Sequence, residues 1–237
     1  MTKLDILAFG AHPDDVEIGM GGTIALYSKR GFNIGVCNLT LAELSSNGTV
    51  ETRQREASAA SDILGVKKRI QLELPDRGLT FYTADQLQQI VSIIRMYKPK
   101  LVFAPFHIDR HPDHGMTTSI IKEAIFNSGI RNYRCESKLP AHRIEAYYLY
   151  MINAYERPDF IVDISLEIET KKRALAAFKS QFDKSDQSVE TPLTNGYIEK
   201  VVARERLFGS EAGVGFAEGF KTTKPILVEN LLEMREE

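Results

Sequence analysis

Five histidines occur in the 237-residue chain: His12, His107, His111, His114 and His142. Three of them fall in the segment HIDRHPDHG, and His12 stands in a second polar segment, AHPDDVEIG. The two segments share a word. His12-Pro13-Asp14 is followed by Asp15, and His111-Pro112-Asp113 by His114. Imidazole nitrogens and carboxylate oxygens are the donors that zinc-like ions take. In a turn leading into a helix, positions i and i+3 point the same way, so His12 and Asp15 can offer two atoms to one ion. Asp14 then lies beside the ion without binding it. His111 and His114 repeat that spacing, with Asp113 adjacent. Taking His114 as third ligand gives a two-imidazole, one-carboxylate set with a position left for water, the open arrangement of a catalytic zinc. The donor types suit Zn²⁺ and leave Fe²⁺, Co²⁺ and Ni²⁺ open. Each piece also has a plain structural use: Asp14 or Asp15 as a helix N-cap, Pro13 and Pro112 as turn formers. The repeated word at equivalent places in the fold favours the metal.

The elements that must bring these segments together are readable from periodicity. Leu4 to Phe9 is a short buried strand ending at Gly10, followed by a helix over Thr23 to Lys29 and a second strand over Asn33 to Thr40. Strand, helix and strand within about 40 residues make a βαβ unit with parallel strands and a right-handed crossover. Helices are expected at Thr52 to Leu64, Ala84 to Tyr97, Gly115 to Phe126 and, as a long amphipathic one, Ile168 to Phe182. LVFAPF is a continuous apolar run of the kind that fills the middle of a parallel sheet. Ala146 to Met151 and Phe160 to Ile164 are further strands. Both histidine segments then follow the carboxyl end of a strand, where open α/β sheets bind ligands. The expected architecture is a Rossmann-like three-layer α/β/α domain with a mostly parallel sheet, one domain over 1-237, and an irregular C-terminal portion.

Composition narrows the class. Thirty basic against 32 acidic residues give a net charge of −2, too balanced for nucleic acid or an anionic membrane as the default partner. Hydrophobic residues at 43% and charged ones at 26% are those of a folded globular chain. Cys37 and Cys135 are the only cysteines and form no Cys-x-x-Cys pair, which fits a reducing cytoplasm. No stretch approaches the roughly 18 apolar residues of a membrane span. GMGGT at Gly19 to Thr23 departs from Gly-x-Gly-x-x-Gly, and no phosphate-loop lysine pattern occurs, so a nucleotide-binding module is disfavoured.

AHPDDVEIG with RHPDHG resembles the paired motifs of the LmbE-like, or PIG-L, zinc-dependent deacetylases, which remove acetyl groups from N-acetylglucosamine-containing molecules. The likeness runs on through SSNGTVETRQREA, LPDRGL, KPKLVFAP and GVGFAEGF, effectively the whole chain. It implies Zn²⁺ held by His12, Asp15 and His114, with Asp14 as general base. It further implies that His111 stabilises the oxyanion or protonates the leaving amine, and that Asp113 orients His111. Arg53 would grip the sugar or its appended group, and Asp76 would lie near sugar hydroxyls. Arg143 and Tyr197 match positions near the active site in relatives. Within the family the likeness is to members acting on N-acetylglucosaminyl malate in bacillithiol biosynthesis; deacetylation of N-acetylglucosamine oligosaccharides, or amide hydrolysis of thiol conjugates, is the alternative. The resemblance implies a small-molecule amino-sugar substrate, no nucleic-acid or membrane partner, and a cytoplasmic homo-oligomer, a hexamer in close relatives. One departure stands out. Relatives acting on mycothiol precursors carry Tyr two residues before the motif histidine, where this chain has Asp109 followed by Arg110; Tyr197 is left as the candidate phenol.

Overall fold

β1 (Ile6–Gly10) is buried along its whole length, and the alternation of its side chains sets the layers. Leu7 and Phe9 join one apolar cluster, and Ile6 and Ala8 join another. The computed structural model describes residues 3–135, 138–184, 186 and 188–228, so residues 1–2 and 229–237 of the expected domain lie outside the described residues. After β1 come α1 (Asp15–Lys29), β2 (Ile34–Thr40), α2 (Val50–Leu64), β3 (Lys68–Leu74), a 3₁₀ turn (Leu79–Phe81) and α3 (Ala84–Tyr97). Then follow β4 (Leu101–Pro105), α4 (Pro112–Ser128), β5 (Ala146–Tyr150), β6 (Phe160–Asp163), α5 (Ile168–Ala176), α6 (Lys179–Phe182), α7 (Tyr197–Glu211) and β7 (Ala217–Thr222). The strands form one seven-stranded sheet in the order β3-β2-β1-β4-β5-β7-β6. β3 to β5 pair in parallel, and β7 is antiparallel to both its neighbours. α3 and α4 contribute Ile90, Ile94, Ile120 and Ile121 to the cluster around Phe9. α1, α2 and α5 contribute Ile24, Ala57, Ala60 and Leu175 to the cluster around Ala8. The expected three-layer, mostly parallel architecture is borne out.

Strand order reverses at β1. The chain moves outward through β2 and β3, then returns to place β4 on the other side of β1. The carboxyl ends of β1 and β4 diverge at that point and leave the crevice in which such sheets bind ligands. Local chemistry fixes the helices around it. Thr49 accepts from Thr52 N at 3.2 Å and starts α2, and Gly65, at φ 73°, ends it. Thr83 and Gln86 form a capping box on α3. Pro112 and Asp113 occupy the first turn of α4, where a missing N–H is harmless and a carboxylate meets the helix dipole.

α1 begins at Asp15 rather than near Thr23, so the polar HPDDVE segment is already entering a helix. Its first turns escape a periodicity test because polar Asp15 and Glu17 are buried beside Val16 and Ile18; Glu17 is paired with Arg69. The helix kinks at Met20 (φ −148°, ψ 24°). Beyond the kink, Gly22 and Thr23 N–H groups donate to the Glu218 carboxylate at 2.8 and 2.6 Å. Two glycines of GMGGT serve close approach: a Cβ on Gly19 would sit 2.0 Å from the Tyr150 ring, and one on Gly22 2.7 Å from Ile164. Tyr150 in turn donates its hydroxyl to Phe9 O at 2.6 Å.

The C-terminal portion expected to be irregular carries α7 and the antiparallel strand β7, and β3 was likewise not anticipated. The long helix expected over Ile168 to Phe182 is interrupted, because Phe178 leaves helical geometry and is wholly buried. Lys171, Glu205 and Glu218 explain why α7 and β7 do not read as apolar elements. Lys171 Nζ lies 2.5 Å from Glu205 Oε1 and 2.6 Å from Glu218 Oε1, and all three side chains are buried. A second buried cation, Arg95 of α3, donates to the carbonyls of Asn127, Ser128, Ile130, Tyr133 and Leu139, closing the C-terminal end of α4 and the segment after it. Among the described residues no helix is long and apolar enough to cross a membrane.

Candidate active site

After Gly10 the chain leaves β1 through Ala11, whose carbonyl accepts from Thr40 N and Oγ1 at 2.9 and 3.0 Å. Asp14 takes φ 112°, a left-handed conformation that costs a residue with a Cβ, and this turn aims Asp14 and Asp15 in different directions. Asp15 faces inward. One oxygen accepts from His12 N at 2.9 Å and lies 3.6 Å from His12 Nδ1, and the other lies 3.1 Å from His114 Nε2. A buried carboxylate thus stands between two buried imidazoles drawn from the ends of β1 and β4. Neighbouring ligands on a tetrahedral zinc with bonds of about 2.1 Å are separated by about 3.4 Å, so the contacts of Asp15 with each imidazole suit such an ion, while His12, Asp76 and Asp113 form a second group whose ligand atoms lie within 4.8 Å of one another. His111 also belongs to the cluster: His12, His111 and His114 each bring a nitrogen within 4.8 Å of the others. Its ring stacks on His114 at 4.8 Å and meets His12 edge-on at 4.7 Å. Its Nδ1 is buried and makes no hydrogen bond among the described residues.

Electrostatics separates the groups. Burial would lower both His12 and His114, but the carboxylates around them win. Asp15 and Asp76 raise His12 to about 9, and Asp15 and Asp109 raise His114 to about 10. Burial would raise Asp15; the charge and hydrogen bonds of His114 and His12 instead hold it well below the carboxylate range. Asp14 goes the other way. Its burial, only partly offset by Arg53, pushes it up to about 7. Burial and the two neighbouring imidazoles push His111 down to about 4.

The remaining sequence-derived residues are distributed unevenly. Arg53 lines the cavity, but its guanidinium is committed to Asp14 Oδ2 at 2.9 Å, Ser45 Oγ at 3.0 Å and the Pro13 carbonyl. It holds the Asp14 side chain and is not presented as a free substrate clamp. Asp76 lines the cavity with Oδ1 3.1 Å from His12 Nε2 and Oδ2 accepting from Leu44 N at 3.2 Å. The resemblance implies that Asp113 orients His111, but the two make no hydrogen bond; the Asp113 carboxylate is taken instead by Arg77, from N at 2.7 Å and Nη1 at 3.2 Å. Tyr197 is buried beside the cavity and not in its wall, donating to Asn153 Oδ1 at 2.9 Å. Arg143 is not brought to the site. It is exposed, packs its Cγ near Gly129 and precedes β5, at the end of the parallel strands opposite the cavity. The polar loop at Asn47 does reach the cavity, with its amide tied to the Val189 backbone at 2.8 Å in both directions.

The cavity measures about 400 Å³. Arg110 stands exposed at its wall and makes no hydrogen bond or ion pair among the described residues. Asn153, just past β5, was missed by sequence reasoning, although the rule that strand ends carry site residues points to it as well. Asp109 has a signal of its own, a carboxylate within the second histidine motif. Its burial would raise it, but His114 and the surrounding N–H donors hold it at about 2.

The family model for PIG-L, GlcNAc-PI de-N-acetylase, matches residues 7–125. A diacetylchitobiose deacetylase of Thermococcus kodakarensis is 30% identical over 229 residues, covering 91% of this chain and 82% of that protein. A probable N-acetyl-alpha-D-glucosaminyl L-malate deacetylase 2 of Bacillus anthracis is 25% identical over 219 residues, covering 85% and 92%. The crystal structure of the conserved protein TT1542 from Thermus thermophilus superposes with a TM-score of 0.87 at 35% identity, covering 95% of this chain and 97% of that one.

Proposed function

Because the chain belongs to the PIG-L family and is a deacetylase of N-acetylated amino sugars, we propose that it works with zinc on N-acetylglucosaminyl malate. The reaction rests on one observation: a buried carboxylate at about 7, Asp14, beside a carboxylate shared by two imidazoles. His12, Asp15 and His114 would hold the ion. When bound, zinc polarises the acetyl carbonyl and makes water acidic near neutral pH. Asp14 takes the proton of the attacking water, and Arg53 keeps its carboxylate aimed at that water. The water oxygen bonds to the acetyl carbon, and charge develops on the former carbonyl oxygen. His111, neutral because of its lowered pKa, donates a ring N–H to that oxygen without carrying charge of its own. An amide nitrogen leaves only once protonated, and Asp14 now holds the proton to give it. The C–N bond breaks to free amine and acetic acid, which loses its proton to solvent to become acetate.

An anionic aglycone is supported by Arg110, a guanidinium at the cavity with no hydrogen bond or ion pair among the described residues. The Bacillus anthracis relative, aligned over 92% of its length, is a further support. An N-acetylglucosamine oligosaccharide is the second reading, favoured by the 30% identity to the diacetylchitobiose deacetylase. The test measures free amine released from the malate glycoside, diacetylchitobiose and N-acetylglucosamine, with and without added Zn²⁺. Zinc-dependent turnover fastest on the malate glycoside is expected, and Arg110→Met should raise its KM about tenfold while sparing N-acetylglucosamine. Faster turnover of diacetylchitobiose would overturn the malate reading; no zinc-dependent release from any of them would overturn the zinc reading.

A further inference from the structure

His114 has a carboxylate on each side. Its Nε2 faces Asp15 at 3.1 Å, toward the place of the ion, and its Nδ1 lies 3.0 Å from Asp109 Oδ1, behind it. Asp109 is buried, with its side chain 2% exposed, and forms no part of the cavity wall. It is gripped from three sides. Oδ1 accepts from His111 N at 2.8 Å and Asn153 Nδ2 at 2.9 Å, and Oδ2 accepts from Asn153 N at 2.9 Å. These bonds tie the loop after β4 to the residues after β5 and leave the carboxylate little freedom. Among the described residues His114 Nδ1 has no other polar contact, and its approach to Asp109 lies off the line of the ring N–H, short of a hydrogen bond.

We propose that Asp109 is a positioning residue for the metal ligand His114, fixing the tautomer with its proton on Nδ1 and leaving the Nε2 lone pair for the ion. This rests on the metal reading above. An imidazole can ligate through one nitrogen only if the other carries the proton, and an outer carboxylate decides which and strengthens the ligand. His12 has a similar outer carboxylate in Asp76, but Asp76 also lines the cavity, so substrate contact and ligand support cannot be separated there. At Asp109 they can, because substrate in the cavity does not reach it.

The experiment is a zinc titration against a competing chelator, followed by histidine ring ¹H–¹⁵N correlation spectra of the zinc-loaded wild type. Asp109→Asn, which keeps the volume, should weaken zinc binding about tenfold, and Asp109→Ala about 100-fold. The spectra should show His114 protonated at Nδ1 and ligating through Nε2; they need no variant and stand if either substitution fails to fold. Folded Asp109→Asn with wild-type zinc affinity, or His114 ligating through Nδ1, overturns the inference while the metal reading survives. A wild-type protein that takes up no zinc overturns both.

Discussion

Asp14 and Asp15 are chain neighbours with the same side chain, yet one is pushed up to about 7 and the other is held far down. The left-handed turn at Asp14 produces the difference by aiming one carboxylate at Arg53 and the other between two imidazoles. Asp14→Asn should therefore keep its zinc, measured by elemental analysis, while kcat falls by roughly 10² to 10⁴. Zinc loss in that variant would mean that Asp14 is a ligand. The raised values of His12 and His114 give a second expectation. Both imidazoles are protonated in metal-free protein at neutral pH and must be neutral to ligate, so zinc affinity climbs with pH up to about 10. Calorimetry in buffers of different ionisation enthalpy reads the protons released. The stability these two histidines add to metal-free protein is present below their unfolded value of about 6.5. It is lost as pH rises through about 9 to 10. Spacing paired His12 with Asp15, the resemblance added His114, and the fold brings those three side chains together. Spacing was silent on Arg53 holding Asp14, or Arg77 taking Asp113, because those partners lie 36 to 39 residues apart in the chain.

The elements best read from the sequence were those whose buried faces are apolar or whose ends carry caps, such as α2 and α3. β3, α7 and β7 were lost for physical reasons. β3 is only half covered, and α7 and β7 put Glu205 and Glu218 into the interior, where a pattern search expects leucine. Buried charge of this kind is costly unless every polar atom is answered. Arg95 is the clearest case, with five backbone carbonyls and, among the described residues, no carboxylate hydrogen-bonded to its guanidinium. Arg95→Met should cost at least about 3 kcal/mol in urea unfolding, since several buried carbonyls at the end of α4 lose their donor together. A loss below about 1 kcal/mol would mean that water replaces the guanidinium there.

Over the whole molecule, the meeting of the two histidine segments at one end of the sheet was legible from two strand ends bearing one repeated word, and the reversal of strand order at β1 that lets them meet was not. Nor was the closure of the sheet by β7. The family match ends inside α4, at residue 125, but α7 and β7, well beyond it, supply both carboxylates that neutralise Lys171. One of them, Glu218, also caps the kinked half of α1, so the C-terminal strand helps to set the helix that starts at Asp15. The turn before that helix has a consequence for the molecule's endurance. Asp14 sits in a backbone conformation that asparagine tolerates better, and carries a charge that its burial opposes. Its penalty on metal-free protein grows as pH rises from about 4 to about 7 and then levels off. Asp14→Asn should accordingly melt at least about 2–4 °C above wild type at pH 8, with the advantage vanishing near pH 4, as read by calorimetry. Heat resistance and turnover are thus set against each other at a single residue. A population of variants sorted only for surviving heat would shed the base first.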